Sequence, residues 1–318
     1  MVKVKRYICI FITLIVILLL TTNCVDIKSR IEEEFNNFLE EDRQVEILPG
    51  NEYTKSYDFE YFQNSKDYSL TNKEDLKNII YSIGNQGWEK FTFYCDKNYT
   101  TCIDDLLAEL QDQSALLSTV GDFIHPYNSF EGISLYYDTT GKITITVKKK
   151  YTNEEIKEID YKINQIMAET INDSMSTEEK LRALHDYIIN NTKYDKNMEE
   201  SGTSIYDSKR MTGLLNEHYA ICSAYTDVYA VMLSKLNLEN YKISNADHIW
   251  NAVKIDNKWY HVDLTWDDPI TTTGQNMLVY DYFLIDNNTL NKTILEDEIV
   301  ENKDKHLFDI EIYSELVK

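Results

Sequence analysis

Glycine and proline are scarce in this 318-residue chain, at 9 and 3. That scarcity argues against a glycine-rich phosphate loop and the nucleotide cofactor it would hold. It also leaves no Gly/Ser or Pro-rich linker, so a domain boundary must pass through a helix or a short polar turn. Basic charge is short as well: 32 Lys and Arg face 54 Asp and Glu, a formal net charge of −22. With the cations dispersed among acids, no basic stripe follows a phosphate backbone, which argues against nucleic acid as a partner. The acidity reads instead as a soluble, self-repelling surface. What is present is apolar matter, 43% of residues with 12% aromatic, enough for one good-sized core or two smaller ones.

The first residues differ in kind. Lys3, Lys5 and Arg6 precede an apolar run from Tyr7 to Leu20, which reads as a secretory signal. The run falls short of the ~20 residues that comfortably span a bilayer. Cys24 stands where a bacterial lipoprotein carries its lipidated cysteine, although Thr21 and Asn23 depart from the usual residues there. Lipid anchoring, plain secretion and an uncleaved anchor therefore all stay open. The expectation is an exported protein, secreted or held at the outer membrane face, with residues 1–24 as signal or anchor and 25–50 as a stalk.

Of five cysteines, Cys9 and Cys24 belong to that segment. Cys95 and Cys102 flank a short polar stretch and are candidates for a local disulfide. Cys222 is then the odd thiol, either a buried inert residue or a reactive one.

Residues 51–150 read as a small α+β domain. Leu76, Ile79, Ile80 and Ile83 recur at helical spacing behind a capping pattern of Thr71 and Glu74. Phe91, Phe93 and Cys95 alternate as a strand, and Ile133 to Tyr137 with Ile143 to Val147 read as a hairpin. An amphipathic helix over 151–175 links this region to a second domain over 176–318. Ser176 and Glu179 open the next helix, on whose apolar face His185 reads as a core histidine.

Cys222 lies just ahead of the helical pattern of Tyr225, Val228, Tyr229, Met232, Leu233 and Leu236. A helix N-terminus favours the thiolate, and its free N–H groups can receive an oxyanion. Downstream, two strands flank Asp256-Asn257. A two-residue turn there pairs residues whose numbers sum to 513, which makes His248 and Asp263 same-face diagonal neighbours, roughly 7–8 Å apart at the backbone. The chemistry then assigns Cys222 as nucleophile, His248 as base and acid, and Asp263 as the group orienting the imidazole. His261, two residues before Asp263, competes for the base role. Trp250 and Trp266 are candidates for the cleft wall, and Asn216 or Tyr219 for a further oxyanion donor. Asp267, Asp268 and Glu217 do not form a closed ligand set, so neither a metal nor a cofactor is expected.

The blocks Ile221-Cys222-Ser223-Ala224-Tyr225, His248-Ile249-Trp250-Asn251 and Trp259 through Pro269 resemble the bacterial transglutaminase-like superfamily of cysteine-protease-like proteins. Ala220 and Ser223 depart from residues often found near the nucleophile. The resemblance implies an α+β, papain-like core with the nucleophile helix packed on an antiparallel sheet, and it carries the triad to Cys222, His248 and Asp263. It implies acyl transfer on a peptide, protein or cell-wall peptide, by hydrolysis or transamidation. The competing reading is a non-catalytic surface module that keeps the fold for binding.

Overall fold

The computed structural model describes residues 45–111, 113–138, 140–269, 277–297 and 306–318. Residues 48–318 form one compact unit. Its first layer is a four-stranded sheet in the order β1-β2-β4-β3, built from β1 (Ser69–Leu70), β2 (Lys90–Cys95), β3 (Phe130–Tyr137) and β4 (Lys142–Lys149). Helices α1 (Lys73–Gln86), α2 (Cys102–Glu109) and α3 (Gln113–Phe123) accompany it. Helix α1 starts one residue later than the Thr71–Glu74 pattern suggests. Asn72 caps it by accepting from the Asp75 amide, while the Thr71 hydroxyl turns to the Asp75 carboxylate. It stops at Gly87, whose φ of 74° is left-handed and where a Cβ would collide with Asn51. Cys95 and Cys102 are joined as a disulfide with their Cα atoms 6.0 Å apart.

Two helices follow, α4 (Asn153–Thr170) and α5 (Thr177–Asn191). Each opens on a reciprocal capping box, Thr152 with Glu155 and Ser176 with Glu179. Short elements β5 (Lys193–Tyr194), α6 (Lys196–Ser201), a π-helical turn at Gly213–Glu217 and β6 (Tyr219–Ala220) lead to α7 (Cys222–Lys235). Helix α7 is buried continuously from Ala224 to Leu233, as expected of a central helix that is apolar on all sides. It packs on a second sheet of β7 (Asn240–Ser244), β8 (Ile249–Ile255), β9 (Lys258–Val262) and β10 (Phe283–Ile285), antiparallel in the order β10-β9-β8-β7. Helix α8 (Asn287–Asp297) follows β10. This is a mixed α+β fold.

The region 51–150 contributes its own sheet, but one core joins it to the rest. Phe123 of α3 stacks on Tyr241 of β7 at 5.2 Å and on Tyr313 at 5.6 Å, and Phe59 meets Phe123 edge-on at 4.7 Å. The buried Lys55 ammonium and the Tyr57 hydroxyl both donate to the Asn240 carbonyl, each at 2.7 Å. Sequence periodicity shows each apolar face and not what it meets, so this continuity lay beyond it.

The expected membrane attachment and cell-surface location require correction. Among the described residues no helix is long and apolar enough to cross a membrane. The segment that prompted the expectation, residues 1–24 with Cys24, lies outside the described residues.

One buried charge cluster fixes α7 against both sheets. The Asp227 carboxylate, 2% exposed, pairs with Lys150 at 2.8 Å and Lys242 at 2.7 Å. Burial alone would raise its pKa, but the two ammonium groups outweigh that and hold it down at about 2. Asp227→Asn leaves two lysines without their counter-charge and should cost about 3–5 kcal/mol in equilibrium denaturation. Because the folded pKa is depressed, the wild-type contribution is complete above about pH 4 and drains away as pH falls toward 2. The variant's stability curve should lack that acid limb.

Candidate active site

Cys222 is the first residue of α7, with Ile221 extended ahead of it as the N-cap. No side chain caps this end, so its first-turn amides keep their positive character at the sulfur. The thiol is half-buried and is the free cysteine among the described residues.

The β8–β9 hairpin turns on Asp256 and Asn257, both left-handed at φ 49° and 63°. This is the two-residue turn that short polar residues tolerate. The pairing runs from Ile255 with Lys258 to Asn251 with Val262, the register read from the sequence. His248 and Asp263 lie just beyond its open end and meet: His248 Nε2 is 2.5 Å from Asp263 Oδ2. With Nε2 so engaged, Nδ1 is the ring nitrogen left for a second partner, and Cys222 is among the groups that raise the pKa of this imidazole.

The electrostatics follow from that contact. Burial would lower the pKa of His248, but the Asp263 charge, its hydrogen bond and Cys222 together raise it well above the ordinary imidazole value. Burial would likewise raise Asp263, and the His248 charge with the hydrogen bonds it receives drives it well below the usual carboxylate range instead. The pair is held in its charged form.

Two staples seat this hairpin on the nucleophile helix. Asn251 Nδ2 donates to the Thr226 carbonyl, and the Thr226 hydroxyl returns a bond to the Ile249 carbonyl, both at 3.0 Å. The Asp263 loop is pinned separately. The Tyr225 hydroxyl donates to Asp268 at 2.7 Å, and His185, fully buried on α5, lies 3.0 Å from Asp267. Asp267 and Asp268 are thus structural anchors, which explains two acids standing together in an interior.

The remaining candidates divide. Trp250 is 1% exposed and stacks behind His248 at 5.7 Å, whereas Trp266 is partly exposed and meets the ring edge-on at 6.3 Å. Only Trp266 can therefore face a ligand. His261 is 1% exposed, accepts from Trp250 Nε1 at 3.1 Å and is pushed down to about 3, chiefly by burial. It is a neutral core residue. Asn216 is exposed with its carboxamide oxygen bonded by Lys162, and Tyr219 stacks on Tyr206 at 3.9 Å. Neither interaction involves Cys222. Tyr219 and Tyr206 instead wall a cleft of about 650 Å³ together with Tyr194. The Tyr194 pKa is raised first by burial and next by the Cys222 charge.

Sequence reasoning missed His306. Its Nε2 lies 2.7 Å from the same Asp263 Oδ2, so that His248, Asp263 and His306 form the candidate metal-ligand set among the described residues. Nitrogen and oxygen ligands of one zinc ion stand about 3.3 Å apart. The contacts of 2.5 and 2.7 Å are those of N–H donors on a carboxylate, so shared protons fit this set better than a shared metal.

Residues 164–264 match the transglutaminase-like superfamily. Over 165 residues the chain is 24% identical to the Kyphoscoliosis peptidase of Mus musculus, covering 46% of this chain and about a quarter (24%) of that protein. A solved TGase is 18% identical, covering 62% of this chain and 58% of its own, at a TM-score of 0.33. A protein proposed to be a cysteine protease, from Cytophaga hutchinsonii, is 12% identical over 47% of this chain and 65% of its own, at a TM-score of 0.26.

If the imidazole controls the thiol, iodoacetamide should alkylate Cys222 fast near neutral pH, as followed by peptide mass. His248→Ala should slow that reaction at least about tenfold, because the sulfur loses the base that takes its proton. Equal rates in the two proteins would show a thiol that is independent of the ring.

Proposed function

We propose that the chain catalyses thiol-dependent acyl transfer on peptide or protein amides, a reading that the match of residues 164–264 to the transglutaminase-like superfamily supports. The observation that carries this reading is the buried His248–Asp263 contact of 2.5 Å, with Cys222 at a helix N-terminus acting on the pKa of the same imidazole. The Cys222 thiolate attacks the amide carbonyl, forming a C–S bond and an oxyanion that the first-turn amides of α7 stabilise. His248 gives its proton to the leaving amine as the C–N bond breaks, which leaves a thioester. Water or a second amine then attacks the thioester, its proton passes to the imidazole, and the thiolate is released. Asp263 keeps the ring aligned through both steps. Cys222 is only partly buried, which favours water as the acceptor and so hydrolysis over transamidation.

The competing reading is a module that keeps the fold to bind a peptide or glycan without turnover. The superfamily match alone suits that reading better than any one reaction, since it establishes a fold family and not a chemistry. The aromatic cleft beside Tyr194 would serve a binder as well as an enzyme.

Incubation with a peptide library and a labelled primary amine separates the two. New peptide termini are the expected product, and Cys222→Ala should abolish them. Amine incorporation would assign transamidation instead. If neither product forms with the wild-type protein, acyl transfer is overturned and the binding module stands.

A further inference from the structure

Asp263 Oδ2 serves two imidazoles. Besides His248 it bonds His306 Nε2 at 2.7 Å, from a residue 43 positions further along the chain. The His306 ring is 3% exposed and enclosed by aromatic groups. It stacks on Tyr282 at 4.4 Å and meets Trp266, Trp250 and His248 edge-on at 4.9, 5.1 and 5.3 Å. The residues that follow are anchored too. The Leu307 carbonyl accepts from Asn245 Nδ2 at 2.8 Å, Phe308 lies 5.6 Å from His261, and the Tyr313 hydroxyl bonds Asp122 at 2.6 Å.

Packing alone would be satisfied by a phenyl ring in such a pocket. An imidazole adds one feature, an N–H donor aimed at the carboxylate that carries the candidate catalytic histidine. We propose that His306 is a positioning residue: it pins the Asp263 carboxylate so that His248 stays aligned with Cys222, which makes the segment from residue 306 onward part of the reactive centre. This rests on the acyl-transfer reading above.

The physical reason lies in how Oδ2 is shared. Thr265 and Trp266 hold Oδ1, and His306 supplies the second donor on the oxygen that bonds His248, which fixes the direction of that oxygen. A donor on Asp263 also withdraws negative charge from the neighbourhood of the sulfur. Losing it loosens the alignment of the imidazole with the sulfur, so proton transfer from Cys222 becomes less favourable and alkylation slows. The titratable groups facing this cluster are Cys222 on α7, Tyr194 on β5, His248 ahead of β8, His261 on β9, Asp263 and Asp267 after it, and Tyr282. All of them remain in the variants below.

The test needs no substrate. Alkylation of Cys222 by iodoacetamide is followed against pH in the full chain, read at that residue by peptide mass, for wild type, His306→Phe, His306→Leu and His306→Gln. Phe and Leu fill the pocket without a donor, and each should move the acid limb of the profile upward by about one pH unit, a rate loss of about tenfold on that limb. Gln places an amide N–H near the position of Nε2 and should restore the wild-type profile. The proposal is overturned if Phe and Leu match wild type, or if Gln shifts as far as they do. It is equally overturned if both donor-less variants fail to fold while Gln folds, because His306 is then a structural residue. Insensitivity of the wild-type profile to His248→Ala would instead overturn the catalytic reading, so the two failures are distinguishable.

Discussion

A buried carboxylate is costly unless its oxygens are saturated with donors, and the Asp263 side chain meets that requirement at the point where the candidate site is assembled. Its Oδ2 contacts His248 and His306 at 2.5 and 2.7 Å. Its Oδ1 takes the Thr265 amide and hydroxyl at 3.0 and 2.5 Å and the Trp266 amide at 3.3 Å. The carboxylate can remain ionised at 2% exposure because five donors surround it. Its charge in turn raises the basicity of the imidazole beside the sulfur. Remove the carboxylate and the ring loses both its orientation and its reason to be charged.

The rest of the second sheet serves to hold that carboxylate where α7 can use it. The Asp263 amide donates to the Tyr282 carbonyl at 3.1 Å, and the Tyr282 amide returns to Asp267 Oδ1 at 2.9 Å. His185 then ties Asp267 to α5, and Tyr225 ties Asp268 to α7. The block Trp266-Asp267-Asp268-Pro269 therefore works as a clamp, one acid for each helix behind the site. Asp268 is raised to about 6, because its burial outweighs the hydroxyl bond it receives. It can share a proton with Tyr225 without adding a full charge close to Asp263.

Local rules made parts of this legible in advance. Asp256 and Asn257 tolerate left-handed backbone, so a two-residue turn and the resulting register could be read from two residues, and the meeting of His248 with Asp263 followed from arithmetic. The Ser176–Glu179 capping box and the position of Cys222 at a helix start were readable for the same reason: each is set within four residues. What escaped were contacts between residues distant in sequence whose own surroundings carry no pattern. His306 follows a polar run from Glu301 to Lys305, with no periodicity to place it on a face. Its partner was known as a candidate, but nothing local tied the two together. The stacking of Phe123 on Tyr241 escaped likewise, and with it the continuity of residues 51–150 with the rest.

The energetics of such a pair bear on whether the fold is kept for chemistry or for binding. Removing a charge pair from water costs several kcal/mol per ion, of order what the pairing returns, and well-packed apolar side chains of similar volume are often as stable or more so. A purely structural demand at this position is therefore met more simply by hydrocarbon, particularly beside Trp250 and Trp266, which already supply an apolar wall. Imidazoles and a carboxylate there impose a need for matched donors that stability does not require, and groups with strongly perturbed pKa values next to a cleft concentrate where protons move. A binding surface gains little from an ionised histidine that is only 7% exposed, since a ligand can scarcely touch it. Cys222 is only partly buried and can meet a ligand that the ring cannot. That division, with the nucleophile reachable and its base enclosed, is the arrangement acyl transfer needs and binding does not.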